Sequence, residues 1–426
     1  MIIPDLPRLA FLSVHTCPLA ALGGKESGGM NVYVRELARE LGRSGFEVDV
    51  FTRSQDPAIP QVVSLGEGAR VVHLEAGPAR PVPRPTQVQY LAAFADRVDA
   101  FRRAGGIEYA LLHSHYWLSG LVGLNLARRW GRPLVHMFHT LGAIKNGVAR
   151  GSSDVEPAER LLAETRVAAG ADRIVASNLV ERADLAWHVR ASTARVAVIP
   201  CGVDTELFRP GEPHRARARL GIAGDRVLLF VGRLTPIKGL ETLLRALAAL
   251  SPPGGAEPSV RLVVVGGQKG GHDDTRSLRR LAGELGVSDR VEFRGQQPQD
   301  ALPDYYQAAD LCLMPSRYES FGMVALEAMA SGIPVVASRV GGLAVTVQDG
   351  VTGLLVPEGD AQALARAVGS LLQDERRRHS LGLQAVEWAR RFGWPCIARQ
   401  VVELYGELVP ALRGVARPFE RCQSLL

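Results

Sequence analysis

Four charged residues in the second half of the chain, Arg233, Lys238, Glu319 and Glu327, have types and spacings suited to an anionic, hydroxyl-bearing ligand. Arg233 and Lys238 lie in VGRLTPIKGLETLL (231–244). They follow an apolar, β-branched run that reads as a strand and precede a run that reads as a helix from about 239 to 250. A strand end, a helix N-terminus and two cations at one junction are the parts of an anion clamp. Lys238 is one of four lysines, with Lys25, Lys145 and Lys269, among 50 basic residues. Its compact ammonium suits a phosphate. The plain alternative is a pair of solvated surface cations.

Glu319 and Glu327 sit eight residues apart in ESFGMVALEAMASGIPV (319–335). Paired carboxylates invite an acid–base assignment, but glycoside hydrolysis needs both carboxyls at one bond. ADLCLMPS reads as a strand ending at Pro315, RYES as loop, and the next helix as starting near Gly322. Gly332 is its left-handed stop and Pro334 bars continuation. Glu319 then precedes the helix and Glu327 lies one to two turns into it. This spreads the carboxylates along an elongated ligand, with an anion at the N–H groups of Gly322, Met323 and Val324 and hydroxyls at each carboxylate. The alternative has Glu319 capping the helix and Glu327 exposed on it.

The first half offers two more constellations. GGKESGGMN (23–31) places Gly28 and Gly29 before a helix, where a backbone can approach a polar ligand or phosphate closely. No GxGxxG follows the first strand, which disfavours a nicotinamide oxidoreductase, and a tight turn is the simpler alternative. HSHYWLSG (113–120) and HMFHTLGAIKN (136–146) place His113, His115, His136 and His139 near two successive strand ends. No carboxylate or cysteine accompanies them at ligand spacing, so no metal is expected. One of each pair reads as a satisfied core histidine, and His139, followed by Thr140, as a polar group at a cleft.

These residues need a frame of strands and helices. Short apolar runs (RLAFLSVH, FEVDVFT, ALLHSH, PLVHMFH, RIVAS, VAVIP) alternate with amphipathic ones up to residue 200. Strands separated by helices imply a parallel sheet covered on both faces. IPCGVDTELFRPGEP (199–213) breaks the rhythm and reads as a linker, after which the pattern restarts. The expected domains are 1–200, 201–394 and a C-terminal segment 395–426, with a helix from about 395 to 412 returning to the first domain. SPPGGAEPS (251–259) reads as a surface loop and the tail after Gly414 as loose. In such sheets ligands sit at the strands' carboxyl ends, so a cleft between the domains is the default site.

The bulk numbers narrow the classes. The chain has 426 residues, 46% of them hydrophobic, and a net charge of +6. The basic residues form no dense runs and aromatics are few, which disfavours nucleic acid. No apolar run reaches the ~18 residues of a membrane span. No signal peptide is visible at the N-terminus. Five cysteines, an odd number without CxxC pairs, argue against a disulfide framework. A cytoplasmic location, with no stable membrane insertion, is the simplest expectation. Oligomeric state stays open, a homodimer included.

Together, GGMN near the start, HTL after a strand, the R-x4-K of Arg233 and Lys238, and the E-x7-E of Glu319 and Glu327 resemble the retaining glycosyltransferases of family four. SVHTCPLA, SGGMNVYVREL, HSHYWLSG and HTLGAIKN look most like the subgroup with sucrose-phosphate synthases and inositol-phosphate N-acetylglucosaminyltransferases, the latter nearer. The resemblance implies an α/β GT-B fold of two Rossmann-like doubly wound domains with an interdomain cleft. It implies hexosyl transfer from a nucleoside-diphosphate sugar, a UDP-sugar by expectation, with no cofactor beyond that co-substrate and no metal. It implies that Arg233 and Lys238 hold the donor diphosphate and that Gly29 lies near it. Glu319, with the backbone of Phe321, Gly322 and Met323, would hold the sugar, and Glu327 the ribose. Gly295 and Gln297 would wall the base, and His139 would meet the sugar's primary hydroxyl end. His15, Asn31, Tyr116, Thr140 and Arg160 would line an acceptor pocket in the N-terminal domain.

One departure stands out. Relatives with phosphorylated acceptors carry a lysine in the loop that here reads ARPVPRPTQVQYL (79–91), where Pro81 takes that place. Arg80 and Arg84 are the candidates to replace it, and an unphosphorylated acceptor is the alternative. Two rivals are also considered. A membrane-surface mannosyltransferase would need a basic amphipathic helix, for which LARELGRSG is a weak candidate. A two-lobed solute-binding protein should carry a secretion signal.

Overall fold

The computed structural model describes residues 6–20, 28–149, 151, 155–224, 226–250, 260–267 and 273–414. Lys25, Lys269, the 251–259 segment and the tail after Gly414 lie outside them. The described residues fall into two compact units. The first takes Gly29–Pro200, the chain before it up to Ala20, and the chain from Trp394 onward; the second takes Cys201–Gly393.

The first unit is built on eight strands: β1 (Arg8–Leu12), β2 (Glu47–Arg53), β3 (Val62–Gly66), β4 (Ala69–Leu74), β5 (Tyr109–His115), β6 (Leu134–Met137), β7 (Arg173–Ala176) and β8 (Val196–Val198). Their order is β3-β4-β2-β1-β5-β6-β7-β8. Every pairing is parallel except β3 with β4. That hairpin escaped the sequence pattern because β3 is an edge strand whose residues are mostly exposed, so it lacks a continuous apolar run. The second unit has six parallel strands: β9 (Arg226–Val231), β10 (Val260–Val265), β11 (Val291–Gly295), β12 (Leu311–Met314), β13 (Val335–Ser338) and β14 (Gly353–Val356), ordered β11-β10-β9-β12-β13-β14. The central strands β9 and β12 are buried on both faces, as all-apolar runs such as VLLFV require.

Strand order reverses beside β1 and β5 in the first sheet and beside β9 and β12 in the second. At such a switch point the two crossover helices leave to opposite faces and open a crevice at the carboxyl ends. Within each sheet, the residues after its two switch-point strands therefore meet in space although they are far apart in sequence.

The C-terminal helix, Trp394–Leu408, lies in the first unit against helix Gly29–Arg43, with Trp394 edge-on to Tyr33 at 5.7 Å. It ends earlier than the sequence suggested. A separate 3₁₀ turn, Pro410–Leu412, follows, because Pro410 has no N–H to continue the helix. Cys17 and Cys312 carry free thiols, and Cys396 is disulfide-bonded.

Candidate active site

In the second unit, β9 runs into the turn Pro236–Lys238, capped by Gly239 in the left-handed conformation (φ 71°). A Cβ at Gly239 would lie 1.9 Å from the Pro315 carbonyl oxygen, so glycine is required twice over, by φ and by close approach. The Arg317 N–H also donates to the Ile237 carbonyl at 2.8 Å. The cation-bearing turn is thus tied to the loop after β12. Gly239→Ala should cost at least about 2 kcal/mol and spread the two loops. A thermal melt superimposing on the parent's would refute that.

The Lys238 ammonium forms an ion pair with the Glu319 carboxylate across this switch point, both about four-fifths buried. The Glu319 loop is fixed from behind. Gly342 N–H donates to the Glu319 carbonyl at 2.8 Å, and the Thr346 hydroxyl to the Phe321 carbonyl at 2.7 Å. Helix Met323–Ala330 starts from Gly322 (φ 95°), and no side chain caps it. Glu319 is therefore not a cap, and Lys238 is not a solvated cation. Glu327 is not exposed either. It is 6% accessible, and the buried Tyr306 hydroxyl donates to its Oε2 at 2.6 Å. Burial and the neighbouring Glu327 charge push the Tyr306 hydroxyl well above its ordinary pKa, so it stays a donor. Arg233 is half-buried two residues past β9, and Phe321 is buried with its ring 6.2 Å from Phe392. Gly295 ends β11 with φ 68°, and Gln297 Nε2 donates to the Arg294 carbonyl at 2.9 Å.

In the first unit the equivalent crevice holds His15, three residues past β1, against Tyr116, directly after β5, with ring centroids 4.3 Å apart. Asn31, early in helix Gly29–Arg43, donates from Nδ2 to Thr16 Oγ1 at 2.8 Å and to the Cys17 carbonyl at 2.7 Å. Arg160 is wholly buried. Its Nη1 donates to the Tyr116 hydroxyl at 2.9 Å, its Nη2 to the Thr140 carbonyl and Oγ1 at 2.9 and 3.1 Å, and its Nε to Glu164 at 2.7 Å. Arg84 Nη1 reaches the same Tyr116 hydroxyl at 3.2 Å. His15, Arg84, Tyr116, Thr140 and Arg160 therefore form one connected cluster, and Asn31 adjoins it through Thr16 and Cys17. Of the two arginines offered for the missing lysine, Arg84 joins the cluster while the Arg80 side chain is exposed. Tyr116 (φ 74°) and His139 (φ 61°) both hold left-handed backbone, which costs about 1–3 kcal/mol each and tends to persist where function fixes it.

Several supports of this cluster were not singled out in the sequence. Glu164 is fully buried and accepts the Gly142 N–H on both oxygens, at 3.1 and 2.9 Å, besides pairing with Arg160. Arg53 is also buried and donates to the Ser54, Pro78 and Arg80 carbonyls, pinning the loop that leads into the short helix Arg84–Gln87. A glutamate four residues after an arginine signals an ion pair but not its burial. The Arg53 contacts carry no sequence signal at all.

Three of the four histidines, His113, His115 and His136, are fully buried, and His139 is partly buried against His115. His113 Nδ1 shares a hydrogen bond with the Tyr405 hydroxyl at 2.6 Å, His115 Nδ1 with His139 Nε2 at 3.1 Å, and His136 Nδ1 with Ser114 Oγ at 2.8 Å. His113 and His139 are pushed down to about 3 by burial, and His15, His115 and His136 also fall well below the usual value, burial again dominating. They are neutral imidazoles at neutral pH. No cluster of three or more side chains able to hold a metal occurs among the described residues.

Two Rossmann-like units, each with polar side chains gathered at its switch point, define the GT-B class of fold. The pattern of Glycosyltransferase Family 4 matches residues 27–207, and that of Glycosyl transferases group 1 matches residues 214–388. The D-inositol 3-phosphate glycosyltransferase 2 of Catenulispora acidiphila is 44% identical over 96% of this chain and 97% of its own. The D-inositol 3-phosphate glycosyltransferase of Acidothermus cellulolyticus is 43% identical over 96% of this chain and 92% of its own. Among solved structures, sucrose-phosphate synthase from Thermosynechococcus elongatus superimposes with a TM-score of 0.86 at 38% identity, over 95% of this chain and all of that one. The chain belongs to the family-four glycosyltransferases, and it is a glycosyltransferase enzyme. No helix among the described residues is long and apolar enough to cross a membrane.

Proposed function

We propose that the protein is a retaining hexosyltransferase. The donor is a UDP-sugar and the acceptor a hydroxyl of a small polar molecule, an inositol phosphate first among candidates and a sugar or sugar phosphate next. The observation that carries this is the Lys238–Glu319 pair at the β9/β12 switch point, beside a helix N-terminus that no side chain caps. The relatives named for D-inositol 3-phosphate support the acceptor.

Under this assignment Arg233 and Lys238 take the donor diphosphate, with Gly29 near it. Glu319 and the backbone of Phe321, Gly322 and Met323 take the sugar. Glu327, oriented by Tyr306, takes the ribose, and Gly295 and Gln297 wall the base. His139 meets the sugar's primary hydroxyl end, and His15, Asn31, Arg84, Tyr116, Thr140 and Arg160 serve the acceptor. The bond from the anomeric carbon to the diphosphate oxygen breaks, and one to the acceptor oxygen forms on the same face. The acceptor proton passes to the departing diphosphate, so no enzyme nucleophile is needed. The negative charge that grows on the leaving group meets two fixed cations and a helix dipole, so no metal or cofactor is assigned. Lys238 must exchange its resident partner Glu319 for phosphate when the donor binds.

The test is a thermal-shift screen of UDP-, GDP- and ADP-hexoses, followed by product mass and anomeric configuration with inositol, sugar and sugar-phosphate acceptors. An inverted product, or no nucleotide release with any of them, would refute the proposal. Arg84→Ala should raise KM for a phosphorylated acceptor about tenfold, the worth of one charge-assisted contact. An unchanged KM would remove Arg84 from the acceptor site.

A further inference from the structure

Beside the acceptor cluster lies an ion pair with no assigned role. The Glu156 carboxylate bridges two cations, pairing with the Lys145 ammonium and with Arg160 Nη1, the latter at 2.9 Å. With that contact all five N–H groups of Arg160 are committed within the protein: Nε to Glu164, Nη1 to Tyr116 and Glu156, and Nη2 twice to Thr140. Arg160 is inaccessible, whereas the Lys145 side chain is 26% exposed and that of Glu156 16%. Three cations (Arg84, Lys145, Arg160) face two carboxylates (Glu156, Glu164) here. Burial lowers the Lys145 pKa, Glu156 opposes that, and the Arg160 and Arg84 charges lower it further, so all three cations are within electrostatic reach of one another.

The Glu156 backbone is held independently of its side chain. Its N–H donates to Asn146 Oδ1 at 2.6 Å, and its carbonyl accepts from Asn146 Nδ2 at 3.2 Å. The carboxylate can therefore leave the two cations by side-chain rotation alone. A phosphomonoester offers at the same place what the carboxylate offers, acceptor oxygens and negative charge, with one oxygen and about one unit of charge more.

We propose that Glu156 is a resident counter-anion standing in for the acceptor's phosphate, and that Lys145 is a specificity-determining residue which passes from Glu156 to that phosphate on binding. This rests on the phosphorylated-acceptor assignment above. An anionic acceptor displaces Glu156 and gains Lys145 together with the Arg160 N–H that Glu156 releases. A neutral polyol cannot displace it, and leaves the pair closed. The site thereby discriminates by charge without an unpaired buried cation in its empty state.

The experiment compares kcat and KM for 1D-myo-inositol 3-phosphate and for myo-inositol in the full-length parent, Glu156→Gln and Lys145→Gln. Lys145→Gln should lower the phosphorylated-over-neutral preference in kcat/KM about tenfold through KM, one charge-assisted contact's worth. Glu156→Gln, which keeps shape and removes the competing charge, should lower KM for the phosphorylated acceptor and steepen its salt dependence. Glu156→Asp, charged but shorter, is the control and should behave like the parent in salt dependence; if Glu156→Gln melts early, the loss of preference in Lys145→Gln decides alone. If the parent uses inositol 3-phosphate but both variants keep its preference, or lose both acceptors in parallel, the pair is structural and the proposal is overturned. If the parent transfers to no phosphorylated acceptor, the acceptor assignment fails first and takes this proposal with it.

Discussion

Lys238→Ala is expected to lower kcat by roughly 10²–10³, the usual cost of one preorganised donor to developing charge. Three features converge on this magnitude. The ammonium sits at the strand end and helix junction where the diphosphate would depart. It is four-fifths buried, so water cannot replace it cheaply. Its turn is tied to the β12 loop through Gly239 and through the Arg317–Ile237 hydrogen bond, so its position is fixed before substrate arrives. The loss should fall mainly on kcat, because charge on the leaving oxygen is greatest in the transition state. Glu319 gives an internal control. Lys238→Ala strips Glu319 of its cation, so Lys238→Ala with Glu319→Gln should be more stable to heat than Lys238→Ala alone, yet no more active. Single-turnover kinetics with a UDP-hexose supply the measurement. A Lys238→Ala enzyme within a few fold of the parent's rate would mean that the anion clamp is misassigned.

The second large effect is on stability in acid. Five histidines, His15, His113, His115, His136 and His139, have pKa values depressed chiefly by loss of solvent. In the unfolded chain each returns to about 6.5. Between about pH 3 and 6.5 the unfolded chain therefore binds more protons than the folded one, and stability falls as pH falls through that window. Each histidine contributes up to ~1.4 kcal/mol per pH unit there. His113 and His139 alone give ~3 kcal/mol per unit, with the other three acting in the same direction. Glu164, Glu181 and Asp184, all pushed up mainly by burial, act in the opposite direction, three groups against six once His73, also lowered mainly by burial, is counted. A chain stabilised by an ordinary 5–15 kcal/mol should unfold before pH 4 is reached. Urea midpoints at pH 7.5, 6.5, 5.5 and 5.0 would show the slope. A midpoint constant over that range would mean that these imidazoles are solvated or already charged.

Much of the site could be read from the chain because its markers are local. Glycine and proline punctuation placed Glu319 ahead of a helix and Glu327 inside it, and the apolar run before Arg233 placed that arginine at a strand end. The same run, buried on both faces, already implied a parallel sheet. The edge hairpin β3–β4 did not announce itself, since half-exposed strands lose the apolar continuity that marks the central ones.

What the sequence could not state is which groups satisfy one another. Lys238 and Glu319 are 81 positions apart, Tyr116 and Arg160 are 44 apart, and Tyr306 and Glu327 are 21 apart. Spacing along the chain is silent at those separations. Only the fold of each unit brings them together, with β1 set beside β5 in one and β9 beside β12 in the other, so that loops from distant segments of the same unit leave side by side. By itself the sequence determined the family of elements and the chemical types at their ends. The tertiary structure alone decided that Lys238 in one unit and Arg160 and Lys145 in the other arrive already paired with carboxylates. Buried charge without a partner is too costly to keep in an empty site.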